Sequence, residues 1–422
     1  MSTEKHIYVY ADTKDFSETL FLGILNSTVV RGKEIFSFEY SKDWLKNSYR
    51  FAIDPQLNLF EGRHFNSDDK PNFGIFTDSA PDRWGRVLMN RREALSAKIE
   101  NRKKKALMES DYLLGVFDEL RIGALRFKTD PNGNFLNDDK KLSAPPMASL
   151  RELQSASLKI EDEENDASDD DRLKWLNLLL APGSSLGGAR PKANVVAPDG
   201  SLWIAKFPSK NDSTDVEAWE MVANDLAKTL RLNVPKVELK KFASKRHTFL
   251  TKRFDRENNK RIHFASAMTL LGYSDGANAS EGASYLELAE FISRFGAPFD
   301  LRELWTRIVF NICIGNSDDH LRNHGFIWNG QCWRLSPVYD ITPNPDATGL
   351  SLNITEDNNS LDLNLALEVA PYFKVSKRDA KETIKDFKET IARSWNDFAD
   401  DYEISKTEQQ IYETAFRVSE SC

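Results

Sequence analysis

Asp318 and Asn323 stand five positions apart in Gly315-Asn316-Ser317-Asp318-Asp319-His320-Leu321-Arg322-Asn323. In a phosphotransfer catalytic loop, an Asp at the first of these positions receives the proton of the attacking hydroxyl, and the Asn holds a magnesium ion. Further on, Pro337-Val338-Tyr339-Asp340-Ile341 sets Asp340 between apolar neighbours, where a second metal-binding carboxylate would sit. By itself an Asp/Asn pair is also an ordinary turn or cap pair. It gains weight only with a phosphate loop and a lysine upstream.

Both are present. Residues 183–192 contain Gly183, Gly187 and Gly188, then Ala189, Arg190, Pro191 and Lys192. Neither Walker nor GxGxxG spacing occurs, but bare glycine backbone can approach phosphate oxygens. The alternative is a plain flexible turn; Arg190 and Lys192 favour an anion. Runs 193–197 and 202–207 flank Pro198-Asp199-Gly200, a hairpin signal. Lys206, at the end of its second strand, suits the lysine that neutralises nucleotide phosphates, although a lysine at a strand end is commonly solvated. Glu217 and Glu220 open a predicted helix over 215–230, and Glu220 is the expected brace for that lysine. Lys252, Arg253 and Phe254 close the sheet-rich half, where a hinge would meet adenine; an exposed charged turn is the plain alternative. His320 and His324 beside Asp318 and Asp319 also suggest a metal cluster, because His at i and i+4 can share a helical face. No third soft ligand follows at a recognisable spacing, so a zinc hydrolase ranks below a phosphotransferase, and His320 is assigned to orienting the loop.

The elements that must carry these residues form a sheet-rich half followed by a helix-rich half. Short strands are expected over 6–60 and helices over 82–105, 173–180, 285–295, 301–314, 377–400 and 406–418. The acidic run 161–171 reads as a solvated loop. The expected fold is α+β, two-lobed and protein-kinase-like, with an additional β-rich N-terminal region. Its parts are 1–140 (N-terminal region), 141–258 (phosphate loop, strand lysine and hinge) and 259–422 (helical lobe). A chain of 422 residues, 40% hydrophobic and 29% charged, reads as globular, and its net charge of −8 argues against a broad nucleic-acid or anionic-membrane surface. Cys313, Cys332 and Cys422 lack CxxC spacing, the N-terminal residues are polar, and no apolar run is long enough for a bilayer. A cytoplasmic protein without membrane attachment is expected.

In these blocks the chain resembles the HipA family of serine/threonine kinases, toxins of bacterial toxin–antitoxin modules. Residues 31–40, 78–86, 111–115 and 123–127 resemble its N-terminal region. Residues 185–192 are similar to its phosphate loop, 252–256 to its hinge, 317–323 to its catalytic loop and 339–341 to its metal-binding turn. The resemblance implies Asp318 as catalytic base, Asn323 and Asp340 as Mg²⁺ ligands, and Lys206 on the α/β-phosphates. It implies Gly187, Gly188, Ala189, Arg190, Pro191 and Lys192 at the triphosphate and Lys252, Arg253 and Phe254 at the adenine of ATP. His320, Leu321, Arg322 and Tyr339 complete the implied nucleotide site. It further implies autophosphorylation at Ser185, with Ser184 beside it. The implied partners are a HipB-like helix-turn-helix antitoxin dimer, operator DNA reached through that antitoxin, and a protein substrate of the aminoacyl-tRNA synthetase class, glutamyl in type. A small-molecule kinase of aminoglycoside or choline type, and a catalytically inactive scaffold in a repressor complex, are the competing readings.

Overall fold

Between residues 5 and 40 apolar side chains recur at alternate positions, the period of a half-buried strand. Three antiparallel strands form there: β1 (Lys5–Ala11), β2 (Leu20–Val30) and β3 (Lys33–Tyr40). With β4 (Arg63–Phe65) and β5 (Leu125–Lys128) they make a sheet of order β4-β3-β2-β1-β5. Its buried face carries Ile7, Val9, Leu25, Phe36, Phe38 and Phe127. The register of β1 against β2 shifts between Val9 and Tyr10, opposite Gly23. A Cβ at Gly23 would lie 2.1 Å from the Glu39 carbonyl oxygen, so glycine is required there.

The computed structural model describes residues 4–162, 167–180, 190–242 and 244–420. It divides into two compact units, Met1–Lys210 with Asp255–Ala265, and Asn211–Phe254 with Ser266–Cys422. The mixed α+β class expected from the sequence is the one observed.

In the first unit the five-stranded sheet is followed by α1 (Lys42–Lys46), α2 (Gly74–Asp78), α3 (Arg83–Ile99), α4 (Glu109–Gly115), α5 (Leu150–Glu161) and α6 (Asp169–Leu180). The expected loop over 161–171 is corrected at both ends. Glu161 closes α5, and Asp169, Asp170 and Asp171 form the first turn of α6. Carboxylates are favoured at that end because the helix dipole is positive there, and the Ser168 hydroxyl caps the turn by accepting from Asp171 N. Arg121 is fully buried and donates to the carbonyls of Ser79, Val116 and Leu136, tying three loops together. Burial pushes its guanidinium down to about 9. The expected hairpin is present as antiparallel β6 (Lys192–Val196) and β7 (Leu202–Lys206), with Lys192 opposite Lys206.

The second unit holds α7 (Val216–Thr229), an antiparallel pair β8 (Val237–Lys241) and β9 (His247–Lys252), and then α8 (Ala267–Leu270), α9 (Tyr285–Phe295), α10 (Phe299–Ile314), α11 (Leu363–Val369), α12 (Lys377–Asp401) and α13 (Lys406–Glu420). Asp215 caps α7 and accepts from His247 Nδ1 at 2.7 Å. Glu408 on α13 accepts from Asp215 N at 2.6 Å and from Trp219 Nε1 at 3.1 Å. Trp219 stacks on Tyr412 at 4.0 Å, and Trp395 stacks on Phe416 at 4.6 Å. The two C-terminal helices therefore fix α7, the helix that carries Glu220. Among the described residues, no helix is long and apolar enough to cross a membrane.

Because Tyr412 is 5% exposed and stacked on a fully buried indole, Tyr412→Ala should lower unfolding stability by about 3 kcal/mol. Urea unfolding followed by tryptophan fluorescence measures this; a loss below about 1 kcal/mol would remove the stack as the anchor of α7.

Candidate functional site

Helix α10 stops where Gly315 takes a left-handed conformation, φ +62°. A Cβ there would press on the carbonyl oxygens of Ala415 and Asn344, at 3.0 and 3.2 Å, so the turn that starts the loop admits glycine alone without strain. Asn316 then folds back on Asn311 through N to O at 2.9 Å and Nδ2 to Oδ1 at 3.1 Å. Asn344 Nδ2 donates to Ser317 Oγ, and Ser351 Oγ donates to Ser317 O, each at 2.7 Å. With Asn316 and Ser317 held, Asp318 lies at the surface of the loop, exposed as a residue although its carboxyl is partly desolvated. Asn323 Nδ2 closes the loop by donating to the Asp318 carbonyl at 2.8 Å.

Asp319 points the other way and is 4% exposed. Its Oδ2 accepts from Tyr285 Oη at 2.5 Å, Asn311 Nδ2 at 2.6 Å and His324 Nε2 at 2.9 Å. Burial pushes this carboxyl up, but the charge and hydrogen bond of His324, with the Tyr285 hydroxyl, outweigh it and hold Asp319 below the usual carboxylate range. Burial and the adjacent carboxylate push the Tyr285 phenol well above its ordinary value. His324 thus supports the loop through Asp319, and His320 supports it through its backbone, its N donating to the Asp318 carbonyl at 2.9 Å and its carbonyl accepting from Asn323 N at 2.8 Å. Only a short turn, Leu321–Asn323, separates the two histidines, so they share no helical face, and His320 Nδ1 is buried without a hydrogen-bond partner.

Tyr339 and Asp340 reach the same loop. Tyr339 Oη donates to the Arg322 carbonyl at 2.6 Å, and the Tyr339 ring lies 5.6 Å from that of Phe254. Arg322 pairs with Asp275 at 3.1 Å, and Leu321 is buried. Phe254 follows β9, which ends at Lys252, and Arg253 beside it is 2% exposed. Asp340 adopts φ +59°, uncommon for a residue with a Cβ and typical of strained functional positions. Desolvation raises the Asp318 carboxyl above its ordinary range; the charges of Asp340 and Asp319 add to this, and His320 opposes it. Asp340 therefore lies within electrostatic reach of Asp318.

Asn323 Oδ1 is buried and accepts no hydrogen bond. Buried acceptors are normally satisfied; Asn316 Oδ1 in the same loop is likewise without a partner, and Asn323, which closes on the Asp318 carbonyl, is the one placed to offer its oxygen to a cation. An amide oxygen and a carboxylate, with phosphate and water completing the shell, form a set that suits Mg²⁺. Among the described residues, no three His, Cys, Asp or Glu side chains cluster around a possible metal, which leaves the zinc reading without a site.

Other expected site residues fall as follows. Lys192 and Lys206 lie in the first unit, 3% and 8% exposed. Pro191 accepts from Phe207 N at 2.9 Å, beside Arg190. Glu220 lies in the second unit, 4% exposed on α7. Ser184, Ser185, Gly187, Gly188 and Ala189 fall outside the described residues. Sequence reasoning missed Tyr285, Asn311 and His324 as supports of the loop, and Asp82, whose Oδ2 lies 2.9 Å from Lys192 Nζ. Tyr285 and Asn311 carry no local motif; Asp82 lies within 78–86, one of the blocks of family resemblance.

The model of the HipA-like C-terminal domain matches residues 184–395. A Haemophilus influenzae protein described as "Putative kinase" is 28% identical over 188 residues, covering 39% of this chain and 54% of the relative. The "Putative kinase Y4mE" of Sinorhizobium fredii is 29% identical over 181 residues, covering 37% of this chain and 41% of the relative. The chain thus spans about half the length of these curated relatives. A chain in the solved complex of the Shewanella oneidensis MR-1 toxin–antitoxin system HipA, HipB and its operator DNA aligns over 98% of this chain and 96% of its own, with TM-score 0.65 and 17% identity. That likeness shows the fold.

Asp319→Asn should cost about 2–4 kcal/mol near neutral pH, since it removes the charge around which three donors converge. A depressed carboxyl contributes stability above its unfolded value, near pH 4, and loses it as pH falls through its folded value. The stability gap between wild type and variant should hold above about pH 5 and narrow below about pH 4. Denaturant titrations across that range test this, and a gap widening in acid would contradict it.

Proposed function

The chain belongs to the family of the HipA-like C-terminal domain, and from that premise we propose that it is an ATP- and Mg²⁺-dependent serine/threonine-protein kinase. We assign the nucleotide machinery to residues 141–258 and 259–422, behind an N-terminal region of 1–140. One observation carries the reading: Asn323 Oδ1 is a buried acceptor without a partner, five residues from an Asp that feels the charge of Asp340. Bound Mg²⁺ would supply neutralisation of phosphate charge during transfer. Asn323 and Asp340 are the residues that would hold it. Asp318 orients the substrate hydroxyl and takes its proton. Its raised carboxyl is a stronger base than an ordinary carboxylate, and ionisation is required before it can act.

Lys206 and the segment 187–192 meet the phosphates in this reading, Glu220 braces the lysine, and 252–254 with 320–322 and Tyr339 bound the nucleotide. The solved Shewanella complex holds HipA with HipB and operator DNA. It supports a parallel role here: a growth-inhibiting, cytoplasmic toxin bound by a HipB-like helix-turn-helix antitoxin dimer, reaching operator DNA through it as co-repressor. The substrate class carried by the resemblance is an aminoacyl-tRNA synthetase, glutamyl in type. Ser185, or Ser184 beside it, is the proposed autophosphorylation site. A phosphoserine adds about −1.5 to −2 charge, and in the cradle for ATP's phosphates that charge would oppose binding.

Asp318→Asn should lower phosphoryl transfer by roughly 10²–10⁴-fold while nucleotide binding largely survives. Asp340→Asn should weaken Mg²⁺-dependent ATP binding itself. Radiolabelled transfer in a cell lysate and calorimetric nucleotide titration separate the two, and full activity of Asp318→Asn would remove the base. Intact-mass and peptide mass spectrometry should find one major phosphosite at Ser185 in active enzyme and none in Asp318→Asn protein. Equal occupancy in both would end the self-phosphorylation reading.

A further inference from the structure

Lys192 and Lys206 face each other across β6 and β7. Directly opposed residues of an antiparallel pair project on one side, with Cβ atoms about 4.5–5.5 Å apart, and like charges there repel. Both side chains are buried, at 3% and 8% exposure. A buried ammonium is kept charged only by a counter-charge. For Lys192, Asp82 supplies one: its Oδ2 lies 2.9 Å from Lys192 Nζ, with both side chains about 5% exposed.

Asp82 is itself rigidly placed. It is the N-cap of α3, and its Oδ1 accepts from Gly85 N at 2.9 Å. One carboxylate oxygen thus holds a helix start, and the other holds the first residue of β6. Lys192 is also the residue at which the proposed phosphate segment passes into regular strand. An ammonium has three donors, so a carboxylate on one side and a phosphate oxygen on another are compatible.

We infer that Asp82 is a positioning residue for nucleotide binding: its buried carboxylate fixes the Lys192 ammonium and the strand entry behind the phosphate segment, and it offsets the repulsion between Lys192 and Lys206. This inference rests on the proposed kinase reading. It makes α3, which lies within the N-terminal region of 1–140, part of the nucleotide machinery rather than an appendage.

A double-variant cycle on the full chain tests it. Asp82→Asn keeps an oxygen for the Gly85 cap and removes only the charge. Affinity for Mg²⁺ with a non-hydrolysable ATP analogue is measured by calorimetry for the wild type, Asp82→Asn, Lys192→Met and the double variant, with the folded fraction checked by thermal melting. Coupled neighbours share one loss, so each single variant and the double should all bind about tenfold more weakly than wild type, rather than a hundredfold for the double. A purely structural role would lower melting temperature while leaving the affinity of the folded fraction unchanged, and that result overturns the inference. So does a double variant whose losses multiply. If Lys192→Met binds like wild type, the phosphate role of Lys192 fails and takes this inference with it. If Lys192→Met is weak and Asp82→Asn is not, only Asp82 is lost. Should Asp82→Asn fail to fold, the double variant, in which no charge of the pair remains buried alone, is compared with Lys192→Met. Equal affinities support the inference, and a weaker double variant contradicts it.

Discussion

A buried carboxylate takes three donors that come from three places: Tyr285 at the start of α9, Asn311 on α10, and His324 just past the loop. Removing water from a carboxylate is costly unless donors replace it, so Asp319 can occupy this position only when all three elements are assembled around it. Once it is held, its neighbours have little freedom. Asp318 is turned outward, and Asn323 is brought back to the Asp318 carbonyl. The proposed base and the proposed metal ligand are therefore set by a residue that does neither job.

The same device recurs. Asp215 caps α7 while holding His247, and Glu408 holds the backbone of Asp215 and the indole of Trp219. Asp82 caps α3 while facing Lys192. Arg121 joins three loops through their carbonyls. In each case one charged group, buried or half-buried, holds two or three separate parts of the chain through backbone or side-chain polar groups, which sets position more sharply than apolar packing alone. Asn323 Oδ1 is one of several buried polar atoms without a hydrogen-bond partner, and its place in the loop beside Asp318 is what makes it suited to a cation.

Helix-period patterns over 285–295, 301–314, 377–400 and 406–418, and the Asp-Gly turn between β6 and β7, were legible in the sequence because local periodicity and turn chemistry carry them. The observed elements, α9, α10, α12, α13 and the hairpin, follow those spans within a few residues. The candidate loop was legible for a related reason: Asp318, Asn323 and Asp340 must keep short, regular separations for one stretch of backbone to present them together. The helical start at Asp169–Asp171 was missed because charge density argued for solvent, whereas the dipole at a helix N-terminus welcomes those carboxylates.

Which polar groups would support the loop was not legible. His320 and His324 are equivalent by composition, and only packing decides that it is His324 whose Nε2 faces Asp319, both rings leaving Nδ1 without a hydrogen-bond partner. Asp82 and Lys192 are 110 positions apart, and Asp319 and Tyr285 are 34 apart; no local period links either pair. Sequence by itself determined the elements and the chemically capable residues, because periodicity and motif spacing are properties of neighbours along the chain. Tertiary structure decided which charges are buried, what neutralises them and which acceptor is left open, because desolvation depends on everything that surrounds a group in space.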